Sequence, residues 1–224
     1  MEKEEGKYLD VAYSYSEKPK SEYPRLLMQH LLHDVLNIRS GTVVDVGSGR
    51  GDQLEAIKGL GFDTIGLDRE RPFNEELEFY SCDITKDVFP IPDGIADVVF
   101  CKSVVEHLYL FQMEHFFSEI KRVCKSGGYI LVSTPDWEYN SREYYQEFTH
   151  CTPFTLRSMR HCLEIHGFTE VSTYSLIPLP PTWNSTALRW FSDLINLLSP
   201  PKRWGKWCKW SQERQIIAWG QVFK

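Results

Sequence analysis

The chain has no C-x-x-C pair, although six cysteines occur, at 82, 101, 124, 151, 162 and 208. Without paired ligand spacing a zinc site is not expected, so no metal is assigned. Several of these cysteines sit in apolar runs, which reads as reduced, buried thiols in a cytoplasmic protein. No apolar run approaches the roughly 20 residues that cross a bilayer. The opening stretch MEKEEGKYLD is acidic and polar, unlike a signal peptide. Basic residues are in deficit: 25 Lys and Arg stand against 31 Asp and Glu, a formal net charge of −6, which argues against a broad nucleic-acid-binding face. Internal repeats and low-complexity tracts are also absent. What is present is ordinary globular composition, 42% apolar and 25% charged over 224 residues, enough for one large domain with a sizeable core.

Residues 1–20 are polar and carry three tyrosines, which reads as an N-terminal arm or substrate-side flap ahead of a single domain at 21–224. From Ser21 to Ile38, apolar residues Leu26, Leu27, Leu31, Leu32, Val35 and Leu36 recur at helical spacing. Short apolar strands are expected at 42–46, 63–68, 77–81, 95–101 and 127–135, then at 169–178 and 214–223. Helices are expected at 52–60, at 110–124, and from a capping Thr152 or Thr155 to Gly167. Strands alternating with helices imply βαβ units and a mostly parallel sheet.

The first strand runs into VVDVGSGRGD, residues 43–52, with glycines at 47, 49 and 51. A glycine-rich turn between strand and helix is where an open α/β sheet binds its ligand. A dinucleotide loop spaces its glycines G-x-G-x-x-G, so that the helix N-terminus meets a pyrophosphate. Here the third glycine comes one residue early, and Asp52 stands where a phosphate would sit. That charge favours a ligand without phosphate. Asp68 ends the next strand and can accept both hydroxyls of a ribose. Asp83 follows the third strand, placed to take the exocyclic amine of a purine, with Ile84 against the ring. A nucleoside, a positive charge and no phosphate together describe S-adenosylmethionine.

These residues, with TIGLDRE, SCDI, IPDGIADVVFCKSVVEHL and KSGGYILVSTPD, resemble the class I S-adenosylmethionine-dependent methyltransferases. Within them the chain is most similar to the small-molecule group of ubiquinone and menaquinone biosynthesis enzymes. The likeness covers about 42–136, and FTHCTPFTLRSMRHCLEIHGF at 148–168 resembles the segment after the fifth strand. It implies a Rossmann-like α/β fold: seven mostly parallel strands, helices on both faces, and the last strand antiparallel. It also implies that Gly47, Ser48, Gly49 and Gly51 face the methionine part and that Asp45 lies near its amino group. By the same likeness Asp68 holds the ribose, Asp83 and Ile84 bind the adenine, the main chain at Cys101–Ser103, with Lys102 and Ser103, lines the sulfonium side, and Arg69 either covers the adenine or is a solvated surface arginine. The product would be S-adenosylhomocysteine.

An oxygen or nitrogen acceptor needs its proton removed, and two histidines suit this: His107 past the fourth strand, and His150 on the loop after the fifth. Each has a structural alternative, in packing or in organising its loop. Glu106 beside His107 offers a possible metal ligand, on which nothing is staked. The loop 134–150 carries Trp137, Tyr139, Tyr144, Tyr145 and Phe148, an aromatic lining for an acceptor or a loop packed on the body. Six of the seven tryptophans follow residue 180. The insertion at about 180–212 contains an amphipathic helix at 185–198, then Trp204, Trp207 and Trp210 on one expected helical face among lysines. A lid or homodimer face, peripheral membrane contact through 183–210, and nucleic-acid stacking are the three readings. The expected activity is methyl transfer to a small-molecule or lipid- or glycan-linked acceptor, with oxygen the favoured nucleophile. A binding module without catalysis and an RNA methyltransferase are the alternatives.

Overall fold

A computed structural model describes residues 22–72 and 74–224; the N-terminal arm expected at 1–20 lies outside them. Helix α1 (Glu22–Gln29) runs on into a π-helical stretch (His30–Val35) that stops before Asn37, whose φ is +55°. Strand β1 (Thr42–Val46) leads to α2 (Asp52–Gly59), then β2 (Asp63–Asp68) and the short β3 (Phe79–Ser81). Strand β4 (Ala96–Lys102) is followed by a 3-10 turn (Val105–His107) and α3 (Leu110–Val123). Strand β5 (Cys124–Pro135), the short α4 (Trp137–Asn140) and α5 (Leu156–Ile165) come next, and Thr155 caps α5 by accepting from Ser158 N. Strand β6 (Thr169–Leu176), α6 (Thr186–Leu198), α7 (Lys206–Gln212) and β7 (Gln215–Gln221) complete the chain.

The sheet order is β3-β2-β1-β4-β5-β7-β6. Every pairing from β3 to β5 is parallel, and β7 is antiparallel to both its neighbours. This is the expected Rossmann-like α/β fold. The chain winds outward from β1 in one direction and resumes at β4 in the other. The switch therefore falls between β1 and β4, and a crevice opens beyond their carboxyl ends.

Strand residues explain why both faces are covered. Val43, Val98, Phe100, Leu131 and Ile217 point to one side and meet Leu27, Met28, Leu31 and Leu32 of the first helical segment and Ile57 of α2. Their neighbours Val44, Val99, Cys101, Val132 and Ile216 point to the other and meet Phe116, Phe117 and Ile120 of α3 and Met159 and Leu163 of α5. Successive strand side chains alternate faces, so a continuous apolar run is what a sheet buried on both sides requires.

Two local readings need correction. Strand β5 begins at Cys124 rather than Gly127, because its register shifts against β4 between Ala96 and Val98. Trp204, Trp207 and Trp210 do not share one helix face. Trp204 closes a 3-10 turn (Lys202–Trp204), and Gly205, at φ +148°, separates it from α7. All six cysteines are free, three of them buried. Among the described residues no helix is long and apolar enough to cross a membrane.

Candidate functional site

The β1–α2 turn is built on three left-handed residues: Gly47, Gly49 and Gly51 have φ of +77°, +52° and +87°. Side chains other than glycine pay a steric penalty there. The turn is pinned to β2 by Gly47 N–H, which donates to Leu67 O at 2.7 Å. A Cβ on Gly47 would run into Val104 Cγ2, whereas one on Gly49 would meet no atom within 4 Å. The Gly49 backbone thus faces open space, a cleft of about 1330 Å³ at the carboxyl ends of the strands. Of the residues singled out from the sequence, Gly47, Ser48, Gly49, Asp68, Arg69, Ile84, Lys102, Ser103 and His107 line this cleft. Asp45, Gly51, Asp83 and His150 are not among its lining residues. Ser103 is itself left-handed, at φ +56°, and its N–H donates to Ser133 O.

The acids differ sharply in environment. Asp45, at the core of the sheet, is 2% exposed, and its Oδ2 is buried without a hydrogen-bond partner. Burial pushes its carboxyl up to about 7, the nearby Asp68 charge adds to this, and Lys102 opposes it. Asp68 accepts from Gly49 N at 2.8 Å through one oxygen and from Arg69 N at 2.6 Å through the other. It therefore ties the glycine turn to the end of β2. Asp83 accepts from Arg69 Nη2 at 2.8 Å, from Thr85 N and Oγ1, and pairs with Lys86. Burial alone would raise Asp83, but the Thr85 and Lys86 hydrogen bonds and the Arg69 charge outweigh it and hold it down at about 2. Asp52 opens α2 with Arg50 on its Oδ2 at 3.0 Å, so its charge at the helix start is partly compensated.

His107 and His150 are brought together, with ring centroids 4.8 Å apart. The backbone does this: Cys151 N and Thr152 N both donate to Glu106 O, and Thr152 Oγ1 donates to Leu108 O at 2.6 Å. Thr149 Oγ1 donates to Glu147, so the 2.9 Å contact between Thr149 Oγ1 and His107 Nδ1 is assigned as an Nδ1–H donor. His150 Nδ1 lies 2.8 Å from Tyr144 O, a carbonyl that can only accept. Both rings thereby carry their lone pair on Nε2. Burial lowers the His107 pKa from the ordinary 6.5, and the second ring lowers it further. Glu106 is fully buried and pushed up by burial to about 7; Oε2 accepts from Thr134 Oγ1 and Oε1 has no partner. Glu106, His107 and His150 offer one ligand atom each within 4.8 Å of one another, a set that could hold a metal ion.

The aromatic loop follows the second of its two readings, packing on the body more than lining the cleft. Trp137, Tyr144 and Tyr145 pack edge-on against one another at 5.2–5.7 Å, and Tyr139 lies under the Arg214 guanidinium at 4.3 Å. Of the five aromatics only Phe148 lines the cleft. Further wall comes from Tyr109 and Gln112 at the start of α3 and Pro178–Pro181 after β6, which no motif marked, and from Lys206 and Trp210 of α7, in the tryptophan-rich insertion. The unmarked residues had proximity in sequence to strand ends on the ligand side as their one advance signal.

Comparison with known proteins agrees with this architecture. A family model described as a methyltransferase domain matches residues 20–173. A probable S-adenosylmethionine-dependent methyltransferase of Mycolicibacterium smegmatis is 33% identical over 99 residues, a match spanning 42% of this chain and 38% of that relative's length. A S-adenosylmethionine-dependent methyltransferase structure from Archaeoglobus fulgidus aligns with TM-score 0.63 at 21% identity, over 88% of this chain and 94% of that one. The 1,6-didemethyltoxoflavin-N1-methyltransferase of Burkholderia thailandensis, solved with its substrate and S-adenosylhomocysteine, aligns with TM-score 0.62 at 13% identity, over 97% and 84% of the two chains. The chain belongs to the methyltransferase-domain family and has the class I S-adenosylmethionine-dependent methyltransferase fold.

Proposed function

We propose that the chain moves the methyl group of S-adenosylmethionine to a hydroxyl of a small-molecule or lipid- or glycan-linked acceptor. The observation that carries the reading is the buried, partnerless Oδ2 of Asp45 beside a left-handed glycine turn. An orphaned carboxylate oxygen costs free energy until a donor reaches it, and a cationic amino group is the donor it suits. The residues present therefore fit the cofactor. Asp45 would serve its amino group, Gly47 to Gly49 its amino-acid tail, and Asp68 its ribose hydroxyls, while Asp83, Ile84 and Arg69 serve the base end. When bound, the cofactor supplies a methyl group on a positively charged sulfur, activated for in-line displacement.

The protein's own part is alignment and proton removal. His107 and His150 are each oriented through Nδ1, leaving Nε2 as the acceptor atom. The lowered His107 pKa keeps that ring neutral at pH 7, ready to take the hydroxyl proton. Thr149 and Glu147 behind His107 then stabilise the imidazolium. The neutral His107 ring lining the cleft suits a hydroxyl acceptor, which is why oxygen is favoured. The free cysteines favour a cytoplasmic location.

Incubating a cell extract with the enzyme and methyl-labelled S-adenosylmethionine, then reading masses, tests this. The expected result is label on a product as a methyl ether at the acceptor's former hydroxyl, lost with His107→Ala. Label on no product across broad extracts, despite cofactor binding, would leave a binding module instead.

A further inference from the structure

We propose that the appendage between β6 and β7 is a membrane-docking surface that seats the chain on an anionic lipid leaflet, with the cleft opening beside it. In α6 the residues Ala187, Trp190, Phe191, Leu194, Leu197 and Leu198 recur at three- and four-residue spacing, one helical stripe. A stripe of this kind normally faces the core. Here it faces out: Trp190 is 73% exposed, Leu197 79% and Leu198 70%, with Phe191 and Leu194 half exposed. The inward side is the less apolar one, where Ser192 Oγ donates to Ser211 Oγ of α7 at 2.6 Å. Trp204, in the 3-10 turn that follows, is 70% exposed as well. A contiguous apolar patch of this kind marks an interaction site rather than ordinary surface.

Charge selects the occupant. Residues 183–212 hold five cations, Arg189, Lys202, Arg203, Lys206 and Lys209, against one acid, Asp193, in a chain whose formal net charge is −6. Asp193 is already bonded to Arg214 at 2.6 Å. Lys202 is paired with Glu143 and Glu213, and Lys209 with Glu213 at 3.9 Å, while Arg189, Arg203 and Lys206 are exposed. Two copies pairing through this stripe would bring their cationic rims together, whereas an anionic leaflet complements both the rim and the tryptophans. The same appendage walls the cleft: Lys206 and Trp210 line it, and Phe191 packs edge-on against Trp207 of α7. Two further cleft residues, Phe148 at 83% and Tyr109 at 57%, are largely exposed. Given the methyltransferase reading above, on which this last step rests, the acceptor is a lipid-linked hydroxyl compound reached from the leaflet.

The test is co-sedimentation of the full chain with vesicles of phosphatidylcholine alone or mixed with phosphatidylglycerol, at low and high salt, alongside tryptophan quenching by bromine-labelled acyl chains. The wild type should pellet only with the anionic vesicles, release at high salt and be quenched. The double variant Trp190→Ser, Leu197→Ser should bind at least about tenfold more weakly, with S-adenosylmethionine affinity and melting temperature unchanged. Wild type remaining in the supernatant with anionic vesicles, or equal binding by the double variant, overturns the proposal. So does a concentration-dependent dimer that the double variant abolishes while neither protein binds vesicles. Absence of S-adenosylmethionine binding would defeat the methyltransferase reading and leave the vesicle result standing.

Discussion

Gly47 and Gly49 have the same left-handed backbone but opposite surroundings, so alanine at each should act on a different property. At Gly49 the added methyl meets nothing within 4 Å. The stability cost is then the left-handed penalty alone, about 1 kcal/mol, or a fall in melting temperature of about 2–4 °C for a chain of this size. At Gly47 the same penalty is joined by overlap with Val104 Cγ2, and Val104 is 7% exposed and packed in the core. Overpacking adds about 1–3 kcal/mol, for a total of about 2–4 kcal/mol. Adding Val104→Ala removes the overlap, so the double-mutant cycle should show favourable coupling of about 1–3 kcal/mol. Urea unfolding measures all four proteins. Calorimetry should reverse the ranking: Gly49→Ala puts its methyl into the cleft and weakens S-adenosylmethionine by at least about tenfold, or 1.4 kcal/mol. If Gly49→Ala is destabilised as much as Gly47→Ala, or binds the cofactor with wild-type affinity, the assignment of the Gly49 backbone to the ligand is wrong.

Other perturbations follow from the same geometry. Raising a carboxyl from 3.8 to about 7 is a folded-state cost that is absent below pH 4, grows as pH rises and is complete above 7. Its ceiling is about 4 kcal/mol. Asp45→Asn should therefore unfold at higher urea than wild type at pH 8, lose that advantage at pH 4, and bind S-adenosylmethionine poorly; equal midpoints at pH 8 would refute the orphaned-carboxylate argument. His107→Ala should cut kcat by about 10²–10⁴ with little change in cofactor affinity, and the wild-type rate should fall in acid only below the ordinary histidine range. Asp83, Glu119 and Asp97 all have folded pKa values below their ordinary ones, held there by Thr85 and Lys86, by Arg122 and by Lys125 against the opposing effect of burial. Their stabilisation is lost on acidification, for Asp83 as pH falls from about 4 towards 2. Asp83→Asn should flatten that acid limb in urea titrations, and an unchanged limb would show that its ion pairs carry no net stability.

Much of the fold was legible because strands and turns here are punctuated by residues with one physical meaning. Gly47, Gly49 and Gly51 mark the β1–α2 turn, Pro135 ends β5, and the apolar strand runs announce a sheet buried on both faces. The π-helical stretch His30–Val35 carries no distinct pattern, since Leu31 and Leu32 are equally apolar in an α-helix. The cleft-lining positions of Gly47, Gly49, Asp68 and Lys102 were readable because each ends a strand or lies in the turn that follows one, where topology fixes position. The acceptor side was not. Tyr144 and Trp137 look like ligand aromatics in sequence and turn out to pack on each other. His150 reaches His107 through hydrogen bonds from Cys151 and Thr152 to Glu106 O, from Thr152 Oγ1 to Leu108 O and between Thr149 and His107, contacts spanning more than forty residues. The tryptophans also divide: Trp183 is bound to Ile177 O and stacks on His30, Trp219 packs on Tyr174, while Trp190 and Trp204 stand in solvent. Composition registered the enrichment but not that division.

The central claim is that this cleft binds S-adenosylmethionine through Asp45, the glycine turn and Asp68. Titration calorimetry of the full chain measures it most directly. The account predicts micromolar binding by the wild type, abolished in a folded Asp68→Ala protein, with no detectable heat from a pyrophosphate-bearing dinucleotide. A folded wild type that binds no S-adenosylmethionine, or an Asp68→Ala protein that binds it undiminished, would contradict it.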